Sequence, residues 1–381
     1  MNNFINILLF VVLVLNLSIS AQSNTHQFND VDGVINKAIE DKSFPGAVVL
    51  IWKDGKTINE KAYGNYTYDK SSPKVKTNTL YDLASVTKVV ATTTAAMICY
   101  DRELFSLDDK VAKYIPEFSV NGKENITIKN LLLHNSGLPA WKKFYGRGLN
   151  YDDVINEIYS SELEYKTGEK TVYSDLGIIT LGKIIEKVTN KSLDKFCEVE
   201  IFKPLEMNST FYNPKDSLKK LCAPTETDDY WRMKTLQGEV HDETSAMLNG
   251  VAGHAGLFST AEDIAKLMSV LMSEGKLGQE QFIKQSTVEL FTKRYSEEST
   301  RALGWDTKSD SGSSAGIYFS KNSFGHTGYT GTSIWSDPER NLFVVFLTNR
   351  VYPTRENTKI QKVRPQLHNA VIKSIEKIDA K

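Results

Sequence analysis

Two hydrophobic rhythms run along this chain, and the places where one gives way to the other predict its architecture. Residues 28–41 set apolar side chains at Val31, Val34, Ile35, Ala38 and Ile39, the spacing of an amphipathic helix, and Pro45-Gly46 stops it. Two β-rich runs, 47–52 and 58–62, then flank Lys53-Asp54-Gly55-Lys56, and Asp-Gly between such runs predicts a hairpin. Residues 77–83 lead, extended, into the Ala-rich run 89–97, which reads as a buried helix. From 105 to 205 the pattern is mostly helical, with runs at 107–116, 126–133, 151–160, 176–188 and 192–201. Residues 225–257 have no period and are rich in glycine and polar residues. A long aperiodic segment in a compact chain is usually functional, and its glycines and apolar residues predict an ordered loop lining a site. Ser259-Thr260-Ala261-Glu262 opens a further helix over 264–271, and another is expected at 280–293. Strand-type runs return at 317–319, 324–335 and 342–347, with a turn at Asp337-Pro338-Glu339-Arg340-Asn341, and 358–378 closes the chain as a helix.

Strands at both ends with helices between them predict an α+β fold. One antiparallel sheet is built from the two chain ends and flanked by helices, with an all-helical domain inserted. The expected division is 28–104 with 225–379 for the sheet domain and 105–224 for the helical domain. No internal repeat or low-complexity tract interrupts it.

Composition narrows the function classes. The 381 residues are 40% hydrophobic and 24% charged, a soluble composition with chain enough for a large core. A net charge of −1 gives no electrostatic basis for binding nucleic acid. Three cysteines, Cys99, Cys197 and Cys222, are too few and too scattered for a disulfide scaffold or a zinc ribbon. Cys99 is expected to be a small buried hydrophobe, and one disulfide stays open. Residues 4–17 are almost wholly apolar and precede Ser18-Ile19-Ser20-Ala21, so residues 1–21 read as a signal peptide and the mature protein as secreted or periplasmic. Residues 1–20 contain no Lys or Arg, which keeps an N-terminal membrane anchor as the alternative.

The candidate chemistry begins at Leu80-Tyr81-Asp82-Leu83-Ala84-Ser85-Val86-Thr87-Lys88. Ser85 stands where a helix starts and Lys88 lies one turn on, so hydroxyl and amine share a face. A serine hydroxyl needs an adjacent base, and a lysine serves as one if burial lowers its pKa. Amides at a helix start stabilise a developing oxyanion. Ser-x-x-Lys is therefore a compact arrangement for acyl transfer, although four residues alone specify little. Two other patterns carry less. Gly312-Ser313-Ser314-Ala315-Gly316 matches a nucleophile elbow but lacks the strand-turn-helix setting that elbow requires. His241, Asp242 and His254 fit no metal-ligand spacing, so neither metal nor cofactor is expected. Trp141, Trp231 and Trp305 read as core or pocket wall.

Two more motifs follow in order. Tyr173-Ser174-Asp175 opens a helix, and His326-Thr327-Gly328 lies on a late strand. With Ser85-x-x-Lys88 they make a series that resembles the serine β-lactamase and penicillin-binding protein superfamily, most closely its class C and D-alanyl-D-alanine carboxypeptidase branch. The likeness runs from about residue 44 to 355 and takes in Leu132-Leu133-His134-Asn135-Ser136-Gly137-Leu138. Residues 238–243, 250–259 and 347–355 look like a subgroup that includes D-alanyl-D-alanine carboxypeptidases and N-acetylmuramyl-L-alanine amidases. The resemblance implies a β-lactamase/transpeptidase-like fold with the site between sheet and helical domain. Ser85 would be the acylated nucleophile, Lys88 its base or proton relay, and Tyr173 the group passing the proton onward. The amides of Ser85 and Tyr329 would form the oxyanion hole, and His326, Thr327 and Gly328 would line the substrate-docking strand.

Two departures matter. Asp175 replaces a frequent Asn and would favour a protonated Lys88, unless it turns away to cap its own helix. His326 replaces a frequent Lys and would bind a substrate carboxylate less strongly. The resemblance therefore implies a secreted serine hydrolase acting on amide, or ester, bonds of a small peptide or muropeptide, with β-lactams as acylating ligands. A penicillin-binding or sensor-type protein that acylates without turnover is the alternative.

Overall fold

The computed structural model describes residues 28–379. The leader expected at 1–21 lies outside them. Six strands, β1 (Gly46–Lys53), β2 (Lys56–Gly64), β3 (Asp306–Thr307), β4 (Phe324–Thr327), β5 (Ser333–Asp337) and β6 (Leu342–Thr348), form one sheet in the order β3-β4-β5-β6-β1-β2. Every pairing is antiparallel, and β1 meets β6 along its length from Ala47 opposite Thr348 to Lys53 opposite Leu342. The two chain ends thus close one sheet. Asp54 and Gly55 turn the first hairpin with φ of 50° and 86°, and two positive φ angles match the right-handed twist of the strands they join.

Strands β1 and β6 are apolar at nearly every position because both faces are covered. Val48, Leu50, Phe343, Val345 and Leu347 face the main core, which contains the Ser85 helix and the helices of the middle region. Ala47, Val49, Ile51, Val344 and Phe346 face a second core against the first helix, Asn29–Glu40, and the closing helix, Ile360–Asp379. The middle region supplies the helices Ile128–Leu132, Tyr151–Tyr159 and Asp175–Thr189.

Several expectations need correction. Residues 317–319 form turns rather than a strand: Gly312 and Gly316 take φ of 67° and 77°, and Ile317 is 71% exposed while Phe319 packs against His368. The single run expected at 324–335 is two strands, split by a turn at 328–332 that proves central to the site. The helix expected at 107–116 is a pair of 3₁₀ turns, Val111–Lys113 and Pro116–Phe118. Helix Gln285–Thr292 occupies only the second half of 280–293. The Gly312–Gly316 stretch is a loop in which Ser314 accepts a hydrogen bond from the Trp335 indole, so it is no nucleophile elbow. Among the described residues all three cysteines are buried thiols, which closes the disulfide option.

Candidate active site

The segment carrying Ser85 is a composite helix. A 3₁₀ turn at Ala84–Val86 passes into a π-helical stretch, Lys88–Thr93, and then α-helix Thr94–Asp101. Its threonines are buried, and the Thr92 hydroxyl donates to Gly253 O at 2.6 Å, which fixes the helix against the aperiodic loop. Ala84, just before the nucleophile candidate, has φ of +44°, a conformation that costs a non-glycine residue about 1–3 kcal/mol and persists only where its surroundings hold it. Asp82 does so. Its carboxylate accepts the Ala84 N–H at 2.8 Å and the His241 N–H at 2.6 Å, tying the Ser85 turn to the aperiodic loop.

From the other side the turn 328–332 is bolted to the same segment. The Thr330 hydroxyl donates to Asp82 O at 2.7 Å and the Thr332 hydroxyl to Leu83 O at 2.9 Å. Gly328 allows this approach, since a Cβ there would lie 2.1 Å from Thr332 Oγ1 and 2.4 Å from Leu83 O.

Within this frame Lys88 Nζ donates to Ser85 Oγ at 2.9 Å and to His254 O at 3.0 Å. Asp175 Oδ1 lies 2.7 Å from the same ammonium, an ion pair outside hydrogen-bond geometry. Of the two placements expected for Asp175, the pairing with Lys88 is the one found; the helix cap is Ser174, whose hydroxyl accepts the Gly177 N–H at 3.3 Å. Lys88 is 0% exposed, and burial alone pushes its ammonium toward the neutral amine. The charges of Asp175 and then Tyr173 outweigh that, and the Lys88 pKa is raised above its ordinary value.

Tyr173 is held in a cage of rings and cations. The tilted rings of His134 and His326 lie 4.7 Å and 5.9 Å away, with Lys88 at 4.8 Å and Arg301 at 5.0 Å from its ring. Its hydroxyl is buried with no hydrogen-bond partner among the described residues. Burial pushes the phenol's pKa up, Lys88 opposes that, and Asp175 adds to it. His326 and His134 are both driven well below histidine's ordinary range, His326 by burial and then Lys88, His134 by burial and then Arg301. Both are neutral. His326 Nδ1 donates to Thr327 O at 2.9 Å, and Nε2 is left as a free acceptor.

These groups open onto a cavity of about 340 Å³ lined by Ser85, Tyr173, His326, Thr327, Gly328 and Tyr329. Lys88 lies directly behind Ser85. All eight residues singled out in the sequence therefore meet in one place. Sequence reasoning missed the cavity's charge. Arg301, Arg350 and Arg364 line it, against one carboxylate, Asp306. Arg364, from the closing helix, is 8% exposed; it donates to Gly328 O and Thr332 O at 2.8 Å and leaves its buried Nε unpaired. Burial and then Arg350 lower its pKa to about 9, as befits a guanidinium without a counter-ion. Arg350 lay within a motif quoted above, but nothing in the helical pattern of 358–378 marked Arg364.

Asp242 and His254 also lie close. With Asp175 they present ligand atoms within 4.8 Å of one another. Yet Asp242 is committed to His254 Nε2 at 2.8 Å and to the Ser245 N–H at 2.7 Å, and Asp175 to Lys88. The group forms a charge network behind Lys88.

The Beta-lactamase family model matches residues 31–367, and the chain belongs to that family. It is 39% identical over 365 residues to a Bacillus subtilis protein named N-acetylmuramyl-L-alanine amidase, covering 87% of this chain and 82% of that one. It is 34% identical over 361 residues to an Escherichia coli protein provisionally named D-alanyl-D-alanine carboxypeptidase, covering 86% and 83%. The fold is similar to that of a penicillin-binding protein homologue from Caulobacter crescentus, with a TM-score of 0.74 at 18% identity, covering 92% of this chain and 98% of that one. The protein is a serine hydrolase with a β-lactamase/transpeptidase-like fold.

Proposed function

We propose that this protein hydrolyses an amide bond in a cell-wall peptide through an acyl-enzyme on Ser85, and that its substrate carries a carboxylate near the cleaved bond. The observation that carries the reading is Ser85 Oγ, 2.9 Å from Lys88 Nζ, at a cavity lined by three arginines. A neutral His326 supplies no positive charge, so the guanidiniums take the substrate's carboxylate. In the proposed reaction Ser85 Oγ attacks the carbonyl while the Ser85 and Tyr329 amides hold the oxyanion. The Lys88–Tyr173 pair, in the form that has lost one proton to solvent, takes the serine proton and delivers it to the leaving amine. Water then releases the acyl group, with the pair acting in the reverse sense. The relatives' names favour a muramyl-peptide amide as substrate, with a D-alanyl-D-alanine terminus as the competing bond. On this reading the apolar residues 4–17 export the enzyme to the compartment that holds its substrate.

The test is a mass-spectrometric product assay on N-acetylmuramyl-L-alanyl-D-isoglutamine and on a peptide ending in D-Ala-D-Ala, with Ser85→Ala alongside. Release of the dipeptide by wild type alone supports the amidase form, and release of D-alanine the carboxypeptidase form. Equal turnover by Ser85→Ala sinks both. The Lys88–Asp175 ion pair favours a second reading, a protein acylated by β-lactams without turnover. It predicts one stable penicillin adduct per chain and no product from either peptide.

A further inference from the structure

Soluble proteins cover their aromatic side chains, so rigid ones left in water at the mouth of a site point to a ligand. Among the described residues four aromatic side chains are exposed, among them Trp141 at 49%, Tyr230 at 42% and Tyr329 at 49%, and each of these three is tied to the Ser85 cavity, directly or through bonded neighbours. Tyr329 lines it. Trp141 follows Ala140, whose carbonyl accepts the Asp175 N–H at 2.9 Å. Tyr145, a few residues on, packs 5.8 Å from Tyr230 and 5.5 Å from Trp231, so the 134–150 segment and the aperiodic loop meet through their rings.

These rings are held rigid by charge. The Tyr230 hydroxyl donates to Glu243 at 2.5 Å, and Arg355 sits 4.9 Å from its ring while pairing with Glu226 and Glu243. Arg232 lies 5.0 Å from the Trp231 ring and is itself anchored on Asp228 at 2.7 Å. The same network reaches the cavity: Glu226 contacts His241 Nε2 at 3.1 Å, and the His241 ring stacks on Tyr329 at 5.7 Å. Packing of rings against a hydrophobic partner would not need this many ion pairs. What they achieve is a pre-organised, open aromatic surface whose edges carry charged groups, among them Lys143, 4.9 Å from the Tyr145 ring. That surface matches a pyranose, which offers an apolar C–H face to a π surface and hydroxyls to the polar rim.

We infer that Trp141, Tyr145, Tyr230 and Trp231 form a shelf that binds a pyranose ring on the acyl side of the cleaved bond. The inference rests on the amide-hydrolase reading of the Ser85 site and names the sugar subsite of that site.

The experiment compares two substrates, N-acetylmuramyl-L-alanyl-D-isoglutamine and the same dipeptide acylated by D-lactate, which keeps the amide and removes the sugar. Wild type is measured beside Trp141→Ala, Trp231→Ala and the conservative Trp231→Phe. Each alanine variant is expected to raise KM for the sugar substrate by about 5- to 10-fold with little change in kcat. KM for the lactyl peptide stays put, and Trp231→Phe recovers most of the loss. Equal kcat/KM for the two substrates on wild type, or a KM increase shared by both, overturns the shelf. Should wild type cleave neither, the amide-hydrolase reading fails on its own, and the shelf is decided by calorimetric titration of Ser85→Ala with the muramyl dipeptide. Binding weakened by Trp141→Ala keeps the shelf, and no binding, or binding indifferent to that change, removes it. Thermal unfolding of each variant separates lost binding from lost fold.

Discussion

Replacing Gly328 by alanine should break the site by moving its two halves apart. A Cβ at 328 would lie 2.1 Å from Thr332 Oγ1 and 2.4 Å from Leu83 O, contacts that real Cβ atoms do not make. The Thr332 hydroxyl must give up its 2.9 Å bond to Leu83 O, and the turn must shift away from the Ser85 segment. Overpacking costs about 1–3 kcal/mol and a lost hydrogen bond about 1 kcal/mol, so a loss of about 2–4 kcal/mol is expected. The unfolding temperature should fall by roughly 3–5 °C for a chain of this size. Activity should fall further than stability explains. Leu83 stands two residues before Ser85 and Gly328 one before Tyr329, so the wedge separates the two amides proposed to hold the oxyanion. Loss of one such donor costs about 10²–10³ in kcat. The assay is single-turnover acylation at a temperature where circular dichroism shows the variant folded. Gly33→Ala is the control: nothing lies within 4 Å of that Cβ in an exposed helix position, and it should leave rate unchanged and stability equal or higher. A Gly328→Ala enzyme acylating within about threefold of wild type would refute the reasoning, since the loss of even one oxyanion donor exceeds that.

Three other outcomes follow. Asp175 raises the pKa of Lys88, so the form able to take the Ser85 proton gains population as pH rises; Asp175→Asn should move the rising limb of the kcat/KM–pH profile to lower pH, and an unmoved limb would show that the ion pair does not set it. Burial lowers His368 to about 4, so between pH 6.5 and 4 the unfolded chain binds a proton that the native state refuses, and stability falls with pH through that window by on the order of 3 kcal/mol, with His134 and His326 adding in the same sense. Urea midpoints at pH 7 and 5 should show a shallower decline in His368→Gln, and an identical decline would discount this group. His326→Lys would set an ammonium among Lys88, Arg301 and Arg364; it should lower stability and peptide hydrolysis, and a double change with Arg364→Leu should recover part of both, whereas a gain from the single change would contradict the charge argument.

The parts of this fold that were legible are those in which local pattern and tertiary role agree. The Asp54-Gly55 hairpin, the Thr260 cap and the helix after Ser174 follow from residues within a few positions of one another. Where the reading failed, distant contacts decided. Ile317-Tyr318-Phe319 has strand composition, but the glycine at 316 and the bond from Ile317 N to Asn369 Oδ1 hold it as a turn. The eight site residues could be named because three short motifs carry them in order. Arg364 could not, because on its own helix it is one more cation, and only its bonds to Gly328 O and Thr332 O, distant in sequence, reveal its place at the site.

That buried arginine also explains the two departures from the family pattern as one arrangement. Lys88, Arg301 and Arg364 all act on His326 at the cavity, and a lysine at 326 would be opposed by each. Histidine avoids the conflict by staying neutral, which burial and then the Lys88 and Arg301 charges enforce. The carboxylate at 175 then balances Lys88, which no other acid contacts within ion-pair distance among the described residues. On the proposed reading, positive charge for the substrate comes from Arg301, Arg350 and Arg364 instead of the docking strand. Asp175, His326 and Arg364 are therefore one electrostatic solution, and with Arg364 kept, His326→Lys should cost more than the same change made together with Arg364→Leu.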